Sequence, residues 1–355
     1  MKTLLRLLLK SQHQRNRSEP AQTDKGMTLV ELLVGTIMAF LVITPMLAFV
    51  VDMLNTDRRE QVKSNTEQDL QAAVDFIAQD LSQAIYIYDQ AGITAINSTT
   101  NKLPPAPANT TGTPILVFWK RQQIKNAVPV ASTGDPKPIN CNPAAKPGAA
   151  NECNDTYVLS LVTYYQIQDP PNSNSTWCQP EGASCPTRIA RYEIREPVRD
   201  PDTIDPKKPY YGEGELKESQ QGSKAFNENF NFSKPTENVT TGKDFPPSPE
   251  VLVNYIDPST SGPPLSSTEC QAALGKPTDP KDPTKLLDEA TLQVTDDKTN
   301  SFYACVDTAR NIARVTIRGN SLRRLQANDT DYKAEKSAYF PTASVQVQGL
   351  GGIGK

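Results

Sequence analysis

Histidine is almost missing from this chain: one residue in 355, His13. If the segment that carries it is removed, as argued below, none is left. Ser-His-Asp and Cys-His catalysis and His-ligated metal sites then fall away together. No C-x-x-C pair occurs among the six cysteines, so the usual zinc spacing is missing as well. A basic excess is also absent. The 37 Lys and Arg against 40 Asp and Glu leave a net charge of −3, which argues against a surface built for generic phosphate-backbone binding. No repeat of fixed period is visible. Charge is lacking most conspicuously between Glu31 and Asp52, where every residue is apolar or uncharged.

That uncharged run gives Glu31 its meaning. A carboxylate just inside an apolar helix costs several kcal/mol unless it is paired, so such residues are rare and mostly functional. A cut between Gly26 and Met27 would create an α-amino group four residues before Glu31, and such an amine is a cation near neutral pH. It can pair with the Glu31 carboxylate of a neighbouring copy in a helical bundle. The preceding residues, 1–26, hold Lys2, Arg6, Lys10, Arg15, Arg17 and Lys25 against Glu19 and Asp24. Positive charge ahead of an apolar helix keeps that side cytoplasmic and places the rest of the chain across the membrane. Arg6 interrupts the Leu4–Leu9 run and no small-residue cleavage site follows, so an ordinary signal peptide fits less well.

Gly26, Met27, Thr28-Leu29-Val30 and Glu31 followed by an apolar helix resemble the N-terminus of type IV prepilins and pseudopilins. Met27 stands where Phe is more common. The resemblance implies cleavage after Gly26 by a prepilin peptidase, methylation of the new Met27 amine, and assembly with other pilins and pseudopilins on an inner-membrane platform. It also implies a pilin-like α+β fold, in which a long N-terminal helix packs on an antiparallel sheet, and gives Pro45 a role as a helix bend that aids polymer packing. Asp80-Leu81-Ser82-Gln83-Ala84, Thr163-Tyr164-Tyr165-Gln166-Ile167 and Ile189–Arg195 are similar to large minor pilins and J-type pseudopilins. Ala313–Asn320 and Tyr339–Gly349 resemble the hormogonium polysaccharide secretion pseudopilins of filamentous cyanobacteria, which implies polysaccharide export tied to gliding.

The organisation expected from the pattern is a leader over 1–26, a membrane and polymerisation helix over 27–54, an amphipathic continuation over 55–90 and a β-rich head over 91–355. One continuous helix is predicted from Thr28 to Tyr88, with Leu70, Val74, Ile77, Leu81, Ile85 and Tyr88 as its apolar stripe. Strands are predicted at 114–121, 156–168, 187–196, 251–256, 301–306, 311–317 and 343–347, forming an antiparallel sheet. Two polar inserts, 197–249 and 257–300, read as surface loops.

All six cysteines follow the membrane helix, and an even count in an oxidising compartment reads as disulfides. Fifteen connectivities are open. Nearest-neighbour pairing, Cys141 with Cys153, Cys178 with Cys185 and Cys270 with Cys305, is the expectation. Arg310, Arg314 and Arg318 would share a strand face and, with Arg323 and Arg324, form a basic patch for an acidic polysaccharide or a partner pilin; the plainer reading is a sheet face with local acid partners. No cofactor or metal is called for, and the Asp residues of 279–297 do not match EF-hand spacing. The leading expectation is a non-enzymatic minor pseudopilin. A tip subunit acting as adhesin or nucleic-acid capture subunit is the alternative, and an anchored enzyme using carboxylates alone ranks last.

Overall fold

A computed structural model describes residues 28–97, 102–129, 141, 153–181, 184–203, 209–211, 216, 220–231, 234, 239, 244–246, 248–296 and 298–351. Gly26 and Met27 lie outside the described residues. The chain divides into two compact units, Met1–Arg58 and Arg59–Lys355. A single helix, α1 (Leu29–Ser82, 54 residues), supplies elements of both. It is roughly 80 Å long at 1.5 Å per residue.

In the first unit α1 is apolar on all sides and long enough to cross a membrane. Its large side chains are exposed throughout, from Leu29 at 83% to Leu54 at 62%. Pro45 sits inside the helix without ending it. Because Pro has no N–H, the carbonyl of Leu41 loses its usual helical donor there.

In the second unit α1 becomes one-sided. Thr66, Leu70, Ala73, Val74, Ile77, Asp80 and Leu81 are buried, a spacing of three and four that puts them on one face. The helix stops at Ser82, earlier than the pattern predicts. Residues 84–88 are Ala-Ile-Tyr-Ile-Tyr, and β-branched and aromatic side chains fit a pleated sheet better than a helix. They form β1 (Ala84–Ile87), which pairs antiparallel with β2 (Thr111–Pro129) through Tyr86 opposite Trp119 and Ile87 opposite Phe118. The expected helix over 55–90 is therefore corrected: Ile85, half-buried, lies in a strand, and Tyr88, buried, follows its end. A short helix, α2 (Gln90–Asn97), follows β1.

The predicted strands divide between two sheets where one was expected. The first is a meander in the order β1-β2-β3-β4-β5, with β3 at Cys153–Gln168, β4 at Thr187–Arg195 and β5 at Glu250–Ile256. The second runs β11-β10-β9-β8, with β8 at Gln293–Val294, β9 at Phe302–Asp307, β10 at Ile312–Arg318 and β11 at Thr342–Gln348. All neighbours are antiparallel. One buried cluster unites Leu70, Val74, Ile77 and Leu81 of α1 with Phe118 and Tyr164 of the first sheet and Phe302 and Val315 of the second.

Neither insert is a plain surface loop. In 197–249, Ala225, Phe226 and Val239 are buried in the main core, and Phe230 stacks on Trp119 at 4.2 Å between ring centroids. Residues Ile115–Trp119 are five consecutive apolar side chains, all fully buried. A strand of that kind has no solvent face and needs a cover on both sides. The 257–300 insert holds α3 (Glu269–Ala273), a hairpin of β6 (Thr278–Asp279) and β7 (Asp282–Leu286), α4 (Glu289–Leu292) and β8. A small core of Cys270, Leu274, Leu292, Tyr303 and Cys305 fixes it to β9.

The C-terminal strand returns to the point where α1 ends. Gly349 N–H donates to Asn311 O at 2.9 Å, and Leu350 N–H donates to Ala84 O at 2.8 Å. The Asn311 side-chain amide donates to that same Ala84 oxygen at 2.9 Å. A Cβ at Gly349 would overlap both the Ala84 oxygen and the Asn311 amide.

Candidate functional site

The N-terminal end of α1 carries the first candidate. Thr28 precedes the helix, and its hydroxyl oxygen accepts from the Glu31 N–H at 3.3 Å while its carbonyl accepts from Leu32 N–H at 3.1 Å. Thr28-Leu29-Val30-Glu31 is thus half of a capping box, with Thr as the cap and Glu three residues on. A carboxylate in the first turn also meets the positive end of the helix dipole. This local arrangement, legible as T-x-x-E, is one the sequence reading overlooked. Glu31 is exposed, and its carboxylate has no side-chain partner among the described residues. Farther along, the Thr36 hydroxyl donates to Leu32 O at 2.7 Å and the Thr44 hydroxyl to Phe40 O at 2.8 Å. Both satisfy themselves on their own helix, as polar groups in hydrocarbon must. Glu31 is what remains: one carboxylate on an otherwise apolar, uncovered surface.

The second candidate lies in the β-rich unit around Asp80. This carboxylate receives Lys120 Nζ at 2.9 Å, Arg191 Nε at 2.7 Å and the Tyr164 hydroxyl at 2.7 Å. Arg191 also donates to Glu193 at 2.6 Å. Burial pushes the Asp80 carboxyl up, but Arg191 and Lys120 outweigh burial and hold it below the ordinary carboxylate range. Burial first, and then Asp80, push the Tyr164 hydroxyl well above its usual value. Asp80, Lys120, Arg191 and Glu193 line a groove of ≈ 750 Å³, and Tyr164 is fully buried. Each polar atom of Asp80 is used in holding α1 to β2, β3 and β4, so the cluster reads as structural. Asp80 falls three residues after Ile77 on the apolar face, and a buried acid in that register was the available signal.

The arginines do not share an open face. Arg310 sits in the turn before β10, bonded to Asp307 and to Leu274 O. Arg318 is buried; its Nε donates to Asp257 at 3.0 Å and its Nη2 to Thr299 O at 2.8 Å. Only Arg314 stays half-exposed on the strand, 3.4 Å from the Ser344 hydroxyl. Arg323 is fully buried among the carbonyls of Pro180, Ser184 and Gln326, and Arg324 pairs with Asp69. Arg310 and Arg318 pair with Asp307 and Asp257, as in the plainer reading of local acid partners, and do not form one open patch with Arg314. β10 is covered by β9 on one edge and β11 on the other, and the arginines that flank the sheet fill local acid and carbonyl sites.

Disulfides join Cys141 to Cys153, Cys178 to Cys185 and Cys270 to Cys305. These are the nearest-neighbour pairs. Among the described residues no group of three or more His, Cys, Asp or Glu is placed to hold a metal ion. In comparisons with known proteins, no family model, no curated protein and no solved structure matches this chain.

Proposed function

We propose that this protein is a minor pseudopilin: a non-enzymatic subunit of a type IV pilus or type II secretion-like machine that supports polysaccharide export and gliding. The observation that carries the reading is Glu31, a lone carboxylate at the start of an exposed, membrane-length apolar helix, four residues beyond Met27. Lateral association of such helices in lipid would bring the carboxylate of one copy to the terminal amine of the next. Each charge would neutralise the other, and the pair would set the axial register of the assembly. A long helix leading into an antiparallel β-rich unit suits that role, as do disulfides in a unit exported to an oxidising compartment. The proposed partners are a prepilin peptidase and methylase, other pilin-like subunits and an inner-membrane platform.

The test is the intact mass of protein extracted from membranes. The expected species has lost residues 1–26 and gained one methyl group on Met27. A full-length, unmethylated species would overturn the proposal.

A further inference from the structure

The chain has two tryptophans. Trp119 is wholly buried, whereas Trp177 is 38% exposed. Its backbone is held on both sides. Residues Thr176–Cys178 form a turn of 3-10 helix capped by Ser175, whose hydroxyl oxygen accepts from the Trp177 N–H at 3.2 Å. Cys178 is tied to Cys185 on the next residue, and the Trp177 carbonyl accepts from the Asn254 amide at 3.2 Å. Trp177 lines a groove of ≈ 580 Å³, within the usual size range of small-ligand sites. With 38% of the residue open to solvent, Trp177 can meet a ligand in this groove without being uncovered first.

The rest of the groove indicates which ligand. Its charged lining residues are Asp169 and Arg188, both more than nine-tenths buried. They face each other in a two-pronged pair, Nη1 to Oδ2 at 2.6 Å and Nη2 to Oδ1 at 3.4 Å, with the guanidinium 5.5 Å from the Trp177 ring centre. The pair cancels in charge, so the groove offers no net attraction to an anion. It does offer donors and acceptors side by side. Ser173 and Ser175 use their oxygens to accept from backbone N–H groups at 3.2 Å each, which leaves their hydroxyl hydrogens to donate. Pro170 and Pro249 supply stiff apolar walls. An aromatic platform beside paired donors and acceptors, without net charge, suits a ligand with C–H-rich faces and hydroxyl edges.

We infer that the Trp177 groove binds a neutral saccharide chain, one sugar face stacked on Trp177 and its hydroxyls bonded to Asp169, Arg188 and the serines. This deepens the export reading by naming the ligand class and its place, and it rests on that reading for biological context alone. It also moves glycan contact away from the arginines of β10.

The full chain in detergent micelles is titrated with cellohexaose, maltohexaose, a β-1,3-glucan hexamer, an oligogalacturonate and a polyproline peptide, following tryptophan fluorescence and calorimetry. At least one neutral hexasaccharide is expected to shift Trp177 emission, Trp119 giving a constant background. Trp177→Ala should weaken that binding about tenfold, and Trp177→Phe should restore part of it. Asp169→Asn, which leaves Arg188 uncompensated, should shift preference toward the oligogalacturonate. The inference is overturned if no neutral sugar binds, if Trp177→Ala binds normally, if only the oligogalacturonate binds and salt abolishes it, or if the polyproline peptide alone binds. Its fate is separable from that of the pseudopilin reading: a cleaved, methylated protein with no glycan affinity loses only this site, and an uncleaved protein that binds glycan loses only the other.

Discussion

Asp80 illustrates how one side chain can organise a unit without taking part in chemistry. Its carboxylate is shared by Lys120, Arg191 and Tyr164, so removing it leaves two buried cations to share Glu193. Asp80→Ala should cost about 3–5 kcal/mol, read from denaturant unfolding of the β-rich unit by near-ultraviolet circular dichroism. The pH dependence follows from the direction of its shift. The folded-state pKa lies below the ordinary 3.8, so the stabilisation is fully present above that value and is lost as pH falls through the depressed one. Wild-type stability should drop more steeply on acidification than that of Asp80→Asn, and the two curves should converge in strong acid. Parallel curves would show that the carboxyl has the same pKa folded and unfolded, rather than the depressed one. Glu31 belongs to the opposite case, a carboxylate with no cation beside it among the described residues. Glu31→Ala is expected to insert normally but to lose crosslinking to sister helices in membranes; unchanged crosslinking would make the carboxylate incidental. The isolated acid of Glu31 was legible because a charge in an apolar run stands out. Asp80 was obscured, because in a polar-apolar alternating stretch one buried acid looks like the exposed ones around it.

At the level of elements, the seven strands predicted from apolar runs all form, with ends that move by one to three residues, except β2, which extends eight residues further to Pro129. What the pattern could not supply was the alternative to one more helical turn. Ile85 and Tyr88 continue the three-and-four spacing of α1, yet pairing with Phe118 and Trp119 wins, because a partner strand distant in sequence contributes energy that local periodicity does not record. The same holds for the insert around Phe226 and Phe230. Its composition is that of a loop, but the five buried apolar residues of Ile115–Trp119 need a second cover. The Cys270–Cys305 bridge closes a loop 35 residues long, which in a chain-entropy account is worth about 3–4 kcal/mol. The double variant Cys270→Ala/Cys305→Ala should lose stability of that order in thermal unfolding, and a change below 1 kcal/mol would mean that the small core of Leu274, Leu292 and Tyr303 holds the insert by itself.

For the whole molecule, sequence reasoning reached the class, α+β with antiparallel pairing and one membrane-length helix, but merged two sheets into one. Partition between sheets is set by which strands find each other across long separations, and no single strand carries that information. The Ala84 carbonyl shows what such separations entail. Its two donors belong to Asn311, 227 positions later, and to Leu350. A ribosome releases residue 84 long before either partner exists, so a nascent chain must carry this oxygen without those two donors until Asn311 and then Leu350 have been made. Truncated products should therefore be cut by protease near residues 83–88 in pulse-chase experiments, while completed chains resist. The first residue of β1 is thus sealed by groups that lie 227 positions and more downstream of it.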